Sequence, residues 1–534
     1  MLAGGFGVAA AAGAVGPALL PSPAPAGSHR PFQHGVASGD PLPDAVVLWT
    51  RITPSPGAAP GSGRGPDVRV EWLVASDPDL RDVVAEGSVV TGPDRDHTVK
   101  IDATRLRPAT SYWFRFRWDD EESPVGRTRT APAADADVER LRFGVVSCAN
   151  WQAGWFSAYR HLADLDDLDL VVHLGDYLYE YQPGTYSYGH ANRDVRRHDP
   201  PHETVTLRDY RRRHAQYKTD PDLQRLHARV PFVVTWDDHE VADGAWTDGA
   251  FEHQPGEGPW RRRRAAAHQA YDEWMPVRLS GTALPGDGER MYRDLTFGRL
   301  VHLAMLDLRT YRGDRVGADD VAVDDPERTI TGTDQRGWLL DSLATTTARW
   351  KLVGNPVMIS PMLMPPRPRS ETFALSRLTT LTPRARAAPN TDGWDGFRAD
   401  RDRVLGHLRD RAIRDVVFLT GDVHTSWAID VRDELGAIAT ELVCPAITSN
   451  NVDDFMGVPP RTASLTLEAA IQATNPAVRW VNLDDHGYAV LDLTGERAVM
   501  QWFAISDRSD PRATTHRLAS WQILSGTPGA LAAP

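Results

Sequence analysis

The chain has 534 residues, of which 41% are apolar and 25% are charged, and its formal net charge is −13. This length exceeds one ordinary hydrophobic core, so we expect at least two domains, and the negative charge argues against a stable nucleic-acid partner. Two cysteines, Cys148 and Cys444, exclude a disulfide framework but leave one bridge open. The arginine-rich stretches Arg211–His214 and Arg261–Arg264 are interpreted as solvated helix faces rather than phosphate-steering patches.

The first 30 residues are mostly small and apolar and end in a proline-rich stretch. This pattern is typical of the apolar part of an export signal followed by a cleavage region, although the basic residues that normally precede it are missing. The alternative is a flexible Ala/Gly tail. No later segment approaches about 18 uninterrupted apolar residues, so we predict no membrane span.

The stretch 31–132 is predicted to form a small all-β domain. Short runs with alternating apolar residues and many aromatics begin at Ala45, Val68, His97 and Ser111. Pro/Gly turns separate these runs at hairpin-like spacings. The pattern predicts a β-sandwich of immunoglobulin or fibronectin type, followed by a linker.

From Leu141 onwards, strand-like runs alternate with helical patterns. This alternation predicts an α/β domain with buried sheets over 140–510, followed by a C-terminal tail over 511–534. The stretch Ser360–Gly393 is rich in Pro, Arg and Thr, and it predicts a long excursion that would suit a lid.

Groups able to bind a metal stand at the ends of five predicted strands. In chain order these groups are Cys148, Asp176 with Tyr179, Asp237–Glu240, Asn355, and Asp422 with His424. Sites in open α/β sheets form beyond the carboxyl ends of strands, so we expect these groups to share one rim. A single Asp at such a place is often a helix cap, and a single Cys is often a small core residue. Several carboxylates buried together are costly unless cations neutralise them, so the whole set predicts a polynuclear metal site.

These segments together resemble the PhoD-like family of alkaline phosphatases and phosphodiesterases. The resemblance is carried by HGVASGDP, VVLWTR, HLGDYLYEY, WDDHEVAD, LVGNPVM and LTGDVHTSW, and it runs from about Phe32 to about Phe503. It implies a four-layer αββα metallophosphoesterase sandwich behind the small all-β domain. It also implies a secreted or cell-envelope location, commonly reached by the twin-arginine route, although no arginine pair is visible.

The resemblance also implies a metal centre similar to that of purple acid phosphatase, with a ferric ion bound by tyrosinate and cysteinate, and with calcium. Cys148, Asp176 and Tyr179 match the iron ligands, and Asp176 and Asp237 match carboxylates that also bind calcium. Phenolate and carboxylate oxygens are hard ligands that suit oxidised iron, and carboxylate-rich sites suit calcium. Zinc or another divalent ion is the alternative, although zinc more usually takes His and Cys ligands.

Two further positions bear on the metals. Asp422 and His424 match the family's late metal-binding motif. Where the family usually has asparagine, two residues before the tryptophan that follows DDHE, this chain has Gly244, which offers no side chain. Asp243, a backbone carbonyl or water would have to substitute there.

The implied reaction is hydrolysis of a phosphate ester by a metal-activated water, with cations and nearby donors meeting the developing charge. His239 is the candidate proton donor or phosphate contact. The other candidate catalytic residues are Asp238, Asn355 and Arg309. A turn-forming role for Asn355 and a structural ion pair for Arg309 are the competing interpretations.

The expected substrate is a small phosphate mono- or diester, and the chain is expected to act as a monomer. One alternative is a phospholipase D-type phosphodiesterase that acts on lipid head groups, because the family includes such enzymes. The other is an inactive exported binding protein on the same scaffold. The intact metal-binding motifs argue against this second alternative.

Overall fold

The computed structural model describes five stretches of the chain, namely 30–185, 194–279, 290–317, 320–363 and 390–533. The predicted export segment and most of the predicted excursion at 360–393 lie outside them.

These stretches contain 22 strands and eight α-helices, numbered here in chain order. The strands are β1 Val36–Gly39, β2 Ala45–Arg51, β3 Val68–Ala75, β4 Val83–Thr91, β5 Thr98–Thr104, β6 Ser111–Trp118, β7 Glu121–Glu122, β8 Gly126–Arg129, β9 Arg140–Val146, β10 Leu170–Leu174, β11 Phe232–Thr235, β12 Arg293–Phe297, β13 Val301–Met305, β14 Trp350–Asn355, β15 Val416–Thr420, β16 Ser426–Asp433, β17 Gly436–Val443, β18 Val478–Asn482, β19 Gly487–Thr494, β20 Arg497–Ile505, β21 Thr515–Leu524 and β22 Thr527–Ala532. The helices are α1 Ser157–Ala163, α2 Leu207–Tyr217, α3 Pro221–His227, α4 Trp260–Trp274, α5 Thr333–Thr345, α6 Arg398–Asp410, α7 Val452–Met456 and α8 Ala463–Thr474. Within the described part of the chain, none of the helices combines the length and the apolar composition needed to cross a bilayer.

Two large mixed sheets dominate the structure, which confirms the prediction of a mixed α/β chain. One sheet has the order β22-β21-β20-β19-β9-β10-β11-β1-β2-β5, and the other has the order β12-β13-β14-β15-β17-β16-β18. Strands β9, β10 and β11 are mutually parallel in the first sheet, as are β13, β14 and β15 in the second. The carboxyl ends of each parallel set therefore meet at one edge of its sheet.

Apolar side chains fill the space between the two sheets and cover their other faces. One buried cluster joins β9, β10, β19 and β20 to β13, β14 and β15. A second cluster packs α1, α3 and α4 against the ten-stranded sheet, and a third packs α5 and α6 against the seven-stranded sheet. Because successive side chains of a strand point to opposite faces, strands covered on both sides have the continuous apolar runs seen in the sequence.

The first eight strands form the predicted all-β part of the chain. A smaller sheet has the order β4-β3-β6-β7, with β8 paired to β6. Strands β1, β2 and β5 instead extend the ten-stranded sheet, because β1 runs parallel to β11 at Gly39 and Phe232. One buried cluster contains side chains from both sets of strands. The boundary that we place between 132 and 140 stays a prediction.

Residues 511–534, for which we predicted a tail, carry the last two strands of the ten-stranded sheet. Strand β21 pairs with β20, and β22 pairs with β21. Most side chains of both strands are only partly buried or exposed. Their apolar alternation is therefore weak in the sequence.

Cys148 and Cys444 are both free thiols, so the alternative of a disulfide between them is wrong. Cys444 lies in the cluster between the two sheets, and its Sγ is 3.3 Å from Ser147 Oγ. Burial raises the pKa of Cys444 to about 12. This thiol is therefore an inert core residue.

A buried lysine lies behind the rim of the ten-stranded sheet. Lys218 Nζ donates to Tyr177 Oη at 2.7 Å, lies 3.0 Å from His227 Nε2, and stands 5.0 Å from the centre of the Trp49 ring. None of these three partners is an anion. Burial lowers the pKa of Lys218 well below its usual range.

We expect Lys218→Met to raise the melting temperature more at pH 7 than at pH 10. The unfolded chain keeps this lysine protonated up to a pKa of about 10.4, whereas the depressed folded pKa forces folding to release the proton. The free-energy cost of releasing this proton decreases as the pH rises towards the pKa of the lysine in the unfolded chain. Thermal unfolding of the variant and the wild type at both pH values measures the difference. An equal gain at both pH values would contradict the assignment.

Candidate metal centre

The turns after β9 and β15, and the turn after β10, hold residues in a strained backbone conformation. The residues with positive φ are Cys148 (59°), Asp176 (54°), Asp422 (65°) and His424 (55°). Left-handed backbone is uncommon for residues other than glycine, and it persists only where the surrounding structure fixes it. These turns therefore aim particular side chains at the rim rather than simply closing the chain.

Four predicted ligands converge in one buried group. Cys148, Asp176 and His424 each offer a ligand atom, and these atoms lie within 4.8 Å of one another. Tyr179 Oη donates to Asp176 Oδ2 at 2.9 Å and lies 3.1 Å from His424 Nε2. Thiol, carboxylate, imidazole and phenol groups from three separate strand ends thus meet at one point.

The tautomer of His424 is fixed by its backbone partner. Its Nδ1 lies 2.6 Å from the carbonyl oxygen of Asn450, and a carbonyl oxygen can only accept. Nδ1 therefore carries the hydrogen, and Nε2 keeps a lone pair on the side of Tyr179. Burial lowers the pKa of His424 to about 3, so the ring stays neutral. A neutral imidazole held in this way is the form that binds metals.

The carboxylate of Asp176 provides a direct test of whether these residues fit a metal. Its Oδ1 is buried and has no hydrogen-bond partner among the described residues. Burial, with the charges of nearby carboxylates such as Asp238, raises the pKa of Asp176 well above its usual range. Burial and the charge of Asp176 likewise raise the pKa of Cys148. A bound cation reverses both shifts, because it stabilises the charged form of each ligand. The donor set therefore fits a metal ion.

A second group shares Asp176 with the first. Asp176, Asp238 and His239 offer atoms within 4.8 Å of one another. The backbone amide of Gly244 donates to Asp238 Oδ2 at 2.8 Å. Gly244 has a φ of +67°, and a Cβ there would lie 2.8 Å from Cβ of Phe251. Glycine at this place therefore lets the backbone approach and orient Asp238.

Glu180 holds the imidazole of His239. Its Oε2 lies 2.8 Å from His239 Nδ1, and its Oε1 accepts from the amide of Asp243 at 2.7 Å. Burial opposes the charged imidazolium, but Glu180 and Asp238 outweigh it and raise the pKa of His239 well above its usual range. The carboxylate of Asp243, the candidate substitute ligand, accepts from Tyr181 Oη at 2.8 Å. His239 is thus a member of the second group whose Nδ1 is held by Glu180.

Asp237 and Asp238 differ in how closely they contact Arg309, whose Nη2 lies 3.6 Å from Asp238 Oδ2. Arg309 donates to both carboxylate oxygens of Asp237, from Nε at 2.6 Å and from Nη2 at 2.9 Å. Its Nη1 donates to Asp392 Oδ2 at 2.8 Å. The guanidinium is 3% exposed. Arg309 therefore forms a buried structural ion pair, and Asp238 is the member of the DD pair that stands with Asp176.

Two other predicted site residues belong to neither group. Asn355 Nδ2 donates to the carbonyl of Val357 at 2.6 Å, and its Oδ1 accepts from Trp394 Nε1 at 2.9 Å. This side chain therefore ties two loops together. Asp422 is partly buried, and burial together with the charge of Asp237 raises its pKa.

Sequence reasoning missed Ser449. Ser449 follows β17 in a run of four fully buried polar residues, Thr448–Asn451. Its hydroxyl lies 2.6 Å from Tyr179 Oη and 2.9 Å from the carbonyl oxygen of Cys148. The available signal was a run of polar residues after the mostly apolar segment 442–447.

Comparisons with known proteins agree with this site. Residues 143–502 match the family model described as PhoD-like phosphatase, and residues 18–132 match the PhoD-like phosphatase N-terminal domain. Alkaline phosphatase D of Bacillus subtilis (strain 168) is 35% identical over 506 residues, which cover 93% of this chain and 82% of that protein. A solved structure described as "Structure of PhoD" is similar with a TM-score of 0.82 and 34% identity, over 96% of this chain and 94% of that one. The chain belongs to the PhoD-like phosphatase family and is a phosphoric ester hydrolase.

Proposed function

We propose that the chain is an exported alkaline phosphatase/phosphodiesterase that hydrolyses small phosphate esters at the rim of the two groups. A ferric ion would be held by Cys148, Asp176, Tyr179 and His424, and calcium by Asp176 and Asp238. The observation that carries the proposal is the buried Asp176 carboxylate, which is common to both groups and has one oxygen with no hydrogen-bond partner among the described residues. A carboxylate with this placement can bridge two cations.

The donor set favours the metals that we propose. Phenol and carboxylate oxygens suit oxidised iron better than zinc, although thiol and imidazole would also suit zinc. The second group offers carboxylates, the ligands that calcium prefers. Bound cations would polarise the phosphoryl group and activate a water for attack on it.

The residues around the proposed metal sites orient the ligands and can donate a proton to the substrate. Gly244 positions Asp238 through its amide, and Glu180 raises the pKa of His239 and so favours its protonated form. His239 can therefore donate to a phosphoryl oxygen or to the leaving oxygen. Arg309 neutralises Asp237 and Asp392, so that these two carboxylates do not compete with the substrate for the cations.

Three further parts of the proposal concern the rest of the chain. We assign the four-layer αββα metallophosphoesterase arrangement to 140–510, on the evidence of the three buried clusters around the two large sheets. The apolar composition of the first 30 residues supports export. We also expect the chain to act as a monomer.

Parallel assays of 4-nitrophenyl phosphate and bis(4-nitrophenyl) phosphate test the proposed activity. We expect metal-replete protein to turn over at least the monoester at alkaline pH. Activity should be lost on chelation and should return when iron and calcium are added together. Failure to hydrolyse either ester with metal bound would refute the proposal. Release of choline from phosphatidylcholine vesicles would instead support the phospholipase D alternative.

We expect Glu180→Gln to lower kcat by about 10- to 100-fold with little change in KM. Without the carboxylate, His239 loses its proton at a lower pH, so activity on the alkaline side should fall at a lower pH than in the wild type. A pH profile of kcat measures this shift. The control is Glu273→Gln, a buried glutamate paired with Arg211. An unchanged alkaline limb would show that Glu180 does not act through His239.

A further inference from the structure

Ser449 contacts two residues of the first group at once. The side chain is fully buried, and its Oγ lies 2.6 Å from Tyr179 Oη and 2.9 Å from the carbonyl oxygen of Cys148. Ser449 offers no metal-binding group of its own comparable with a thiolate, carboxylate or imidazole. Its position therefore calls for a role that depends on hydrogen bonding.

The backbone around Ser449 is held in place from both sides. Its amide donates to the carbonyl oxygen of Cys148 at 3.3 Å. The preceding carbonyl, that of Thr448, accepts from Arg508 Nη1 at 2.7 Å, and Arg508 pairs with Asp454 at 2.8 Å. The hydroxyl is thus presented to Tyr179 from a fixed loop.

The protonation state of Tyr179 decides which oxygen accepts the hydrogen bond from the Ser449 hydroxyl. Ser449 carries one hydroxyl hydrogen, which can go either to the carbonyl of Cys148 or to the oxygen of Tyr179. As a phenol, Tyr179 itself donates, and Asp176 Oδ2 accepts at 2.9 Å. As a phenolate, the oxygen of Tyr179 can only accept, and a separation of 2.6 Å is typical of a hydroxyl that donates to an anionic oxygen.

We propose that Ser449 is a positioning residue that donates a hydrogen bond to Tyr179 when this side chain serves as a metal ligand. The inference rests on the proposed function, in which Tyr179 binds ferric iron as a phenolate. Hydrogen bonds to a ligand from its surroundings change how strongly it donates electrons to the metal. The bond from Ser449 draws electron density from the phenolate and makes it a weaker donor.

This role has a spectroscopic consequence that a purely structural role lacks. Light absorption by a ferric phenolate moves an electron from the ligand to the metal, so a stronger donor absorbs at lower energy. Removal of the hydroxyl should therefore shift the visible band of the iron protein to longer wavelength. The same change should make the ferric ion harder to reduce, because the more basic phenolate stabilises the higher charge.

The experiment compares visible spectra and iron content of wild-type enzyme, Ser449→Ala and Ser449→Cys, all loaded with iron. We expect a shift to longer wavelength in the alanine variant. A smaller shift in the same direction is expected for cysteine, whose S–H is a weak donor. Should the alanine variant not fold, the cysteine variant carries the test. Thr448→Val is the matched control, since it removes a neighbouring hydroxyl that donates to the carbonyl of Asn150. Its band should stay in place.

The outcomes separate this inference from the proposed function. A visible band in the wild type that does not move in iron-loaded Ser449 variants overturns the role of Ser449 and leaves the iron assignment standing. An equal shift in Thr448→Val also overturns it, because the change would then reflect the loop rather than the hydroxyl. A wild-type protein that binds iron without a visible band overturns both.

Discussion

Asp176→Asn is expected to lower kcat/KM by at least about 10³-fold, because Asp176 is the one carboxylate common to both groups. An amide still offers an oxygen, but it cannot supply the negative charge that draws two cations together. The metal-free variant should nevertheless unfold at about the same temperature as the metal-free wild type. The variant removes a buried carboxylate whose Oδ1 has no hydrogen-bond partner among the residues that the structure describes. Steady-state kinetics, metal analysis and thermal unfolding of the same preparation measure all three effects.

Asp400→Asn is the matched control for this prediction. Asp400 is also fully buried, but its oxygens accept from Thr331 and Arg336, and it belongs to neither group. We expect the opposite pattern for it, with a lower melting temperature and an unchanged kcat/KM. If Asp176→Asn kept both its metals and its activity, Asp176 would not be the bridging ligand.

Arg309→Met is expected to destabilise the protein by about 3–5 kcal/mol, because it leaves the carboxylate of Asp237 buried without its cation, whereas Asp392 keeps Arg312 at 3.1 Å. Arg309 donates to both oxygens of Asp237 and to Asp392. The double variant Arg309→Met/Asp237→Asn should recover part of this loss, since the second substitution removes the unpaired charge of Asp237. Denaturant unfolding of the two single variants and the double variant gives the coupling free energy.

The same variants decide which carboxylate of the DD pair binds metal. We expect Asp237→Asn to keep its full metal content and Asp238→Asn to lose one ion per chain, because only Asp238 belongs to the group with Asp176. Loss of an ion from Asp237→Asn alone would return Asp237 to the role that the family resemblance implies. A double variant no more stable than Arg309→Met would show that the ion pair is not what holds Asp237.

The sequence predicted those strands whose pattern is local. Strands β3 and β6 have the bounds expected from alternation and flanking turns, because each buries one face against the same cluster. Strands β21 and β22 escaped prediction, since they lie at the edge of the sheet and bury few side chains. The pairing of β1 with β11 joins residues almost 200 positions apart, and no local pattern encodes it.

In the site, too, the features with a local sequence pattern could be predicted, and those that depend on long-range contacts could not. Cys148 and Asp176 could be predicted to meet because they follow β9 and β10, which are neighbouring parallel strands of one sheet. His424 follows β15 of the other sheet, so its place beside them depends on how the two sheets pack. Which of Asp237 and Asp238 joins the group with Asp176 depends on where Arg309 lies in the folded chain. The sequence around the two aspartates does not reveal this position. Ser449 reaches Tyr179 from 270 positions away, so only the tertiary structure identifies it.

The visible absorption and iron content of natively produced enzyme, measured with Tyr179→Phe alongside, test the proposed metal centre most directly. We expect the wild type to contain iron and to be coloured, because a phenolate bound to ferric iron absorbs visible light. Tyr179→Phe should lose this band and most of its phosphatase activity. A colourless, fully active wild type without iron would contradict the assignment, as would a Tyr179→Phe variant that keeps both the band and the activity.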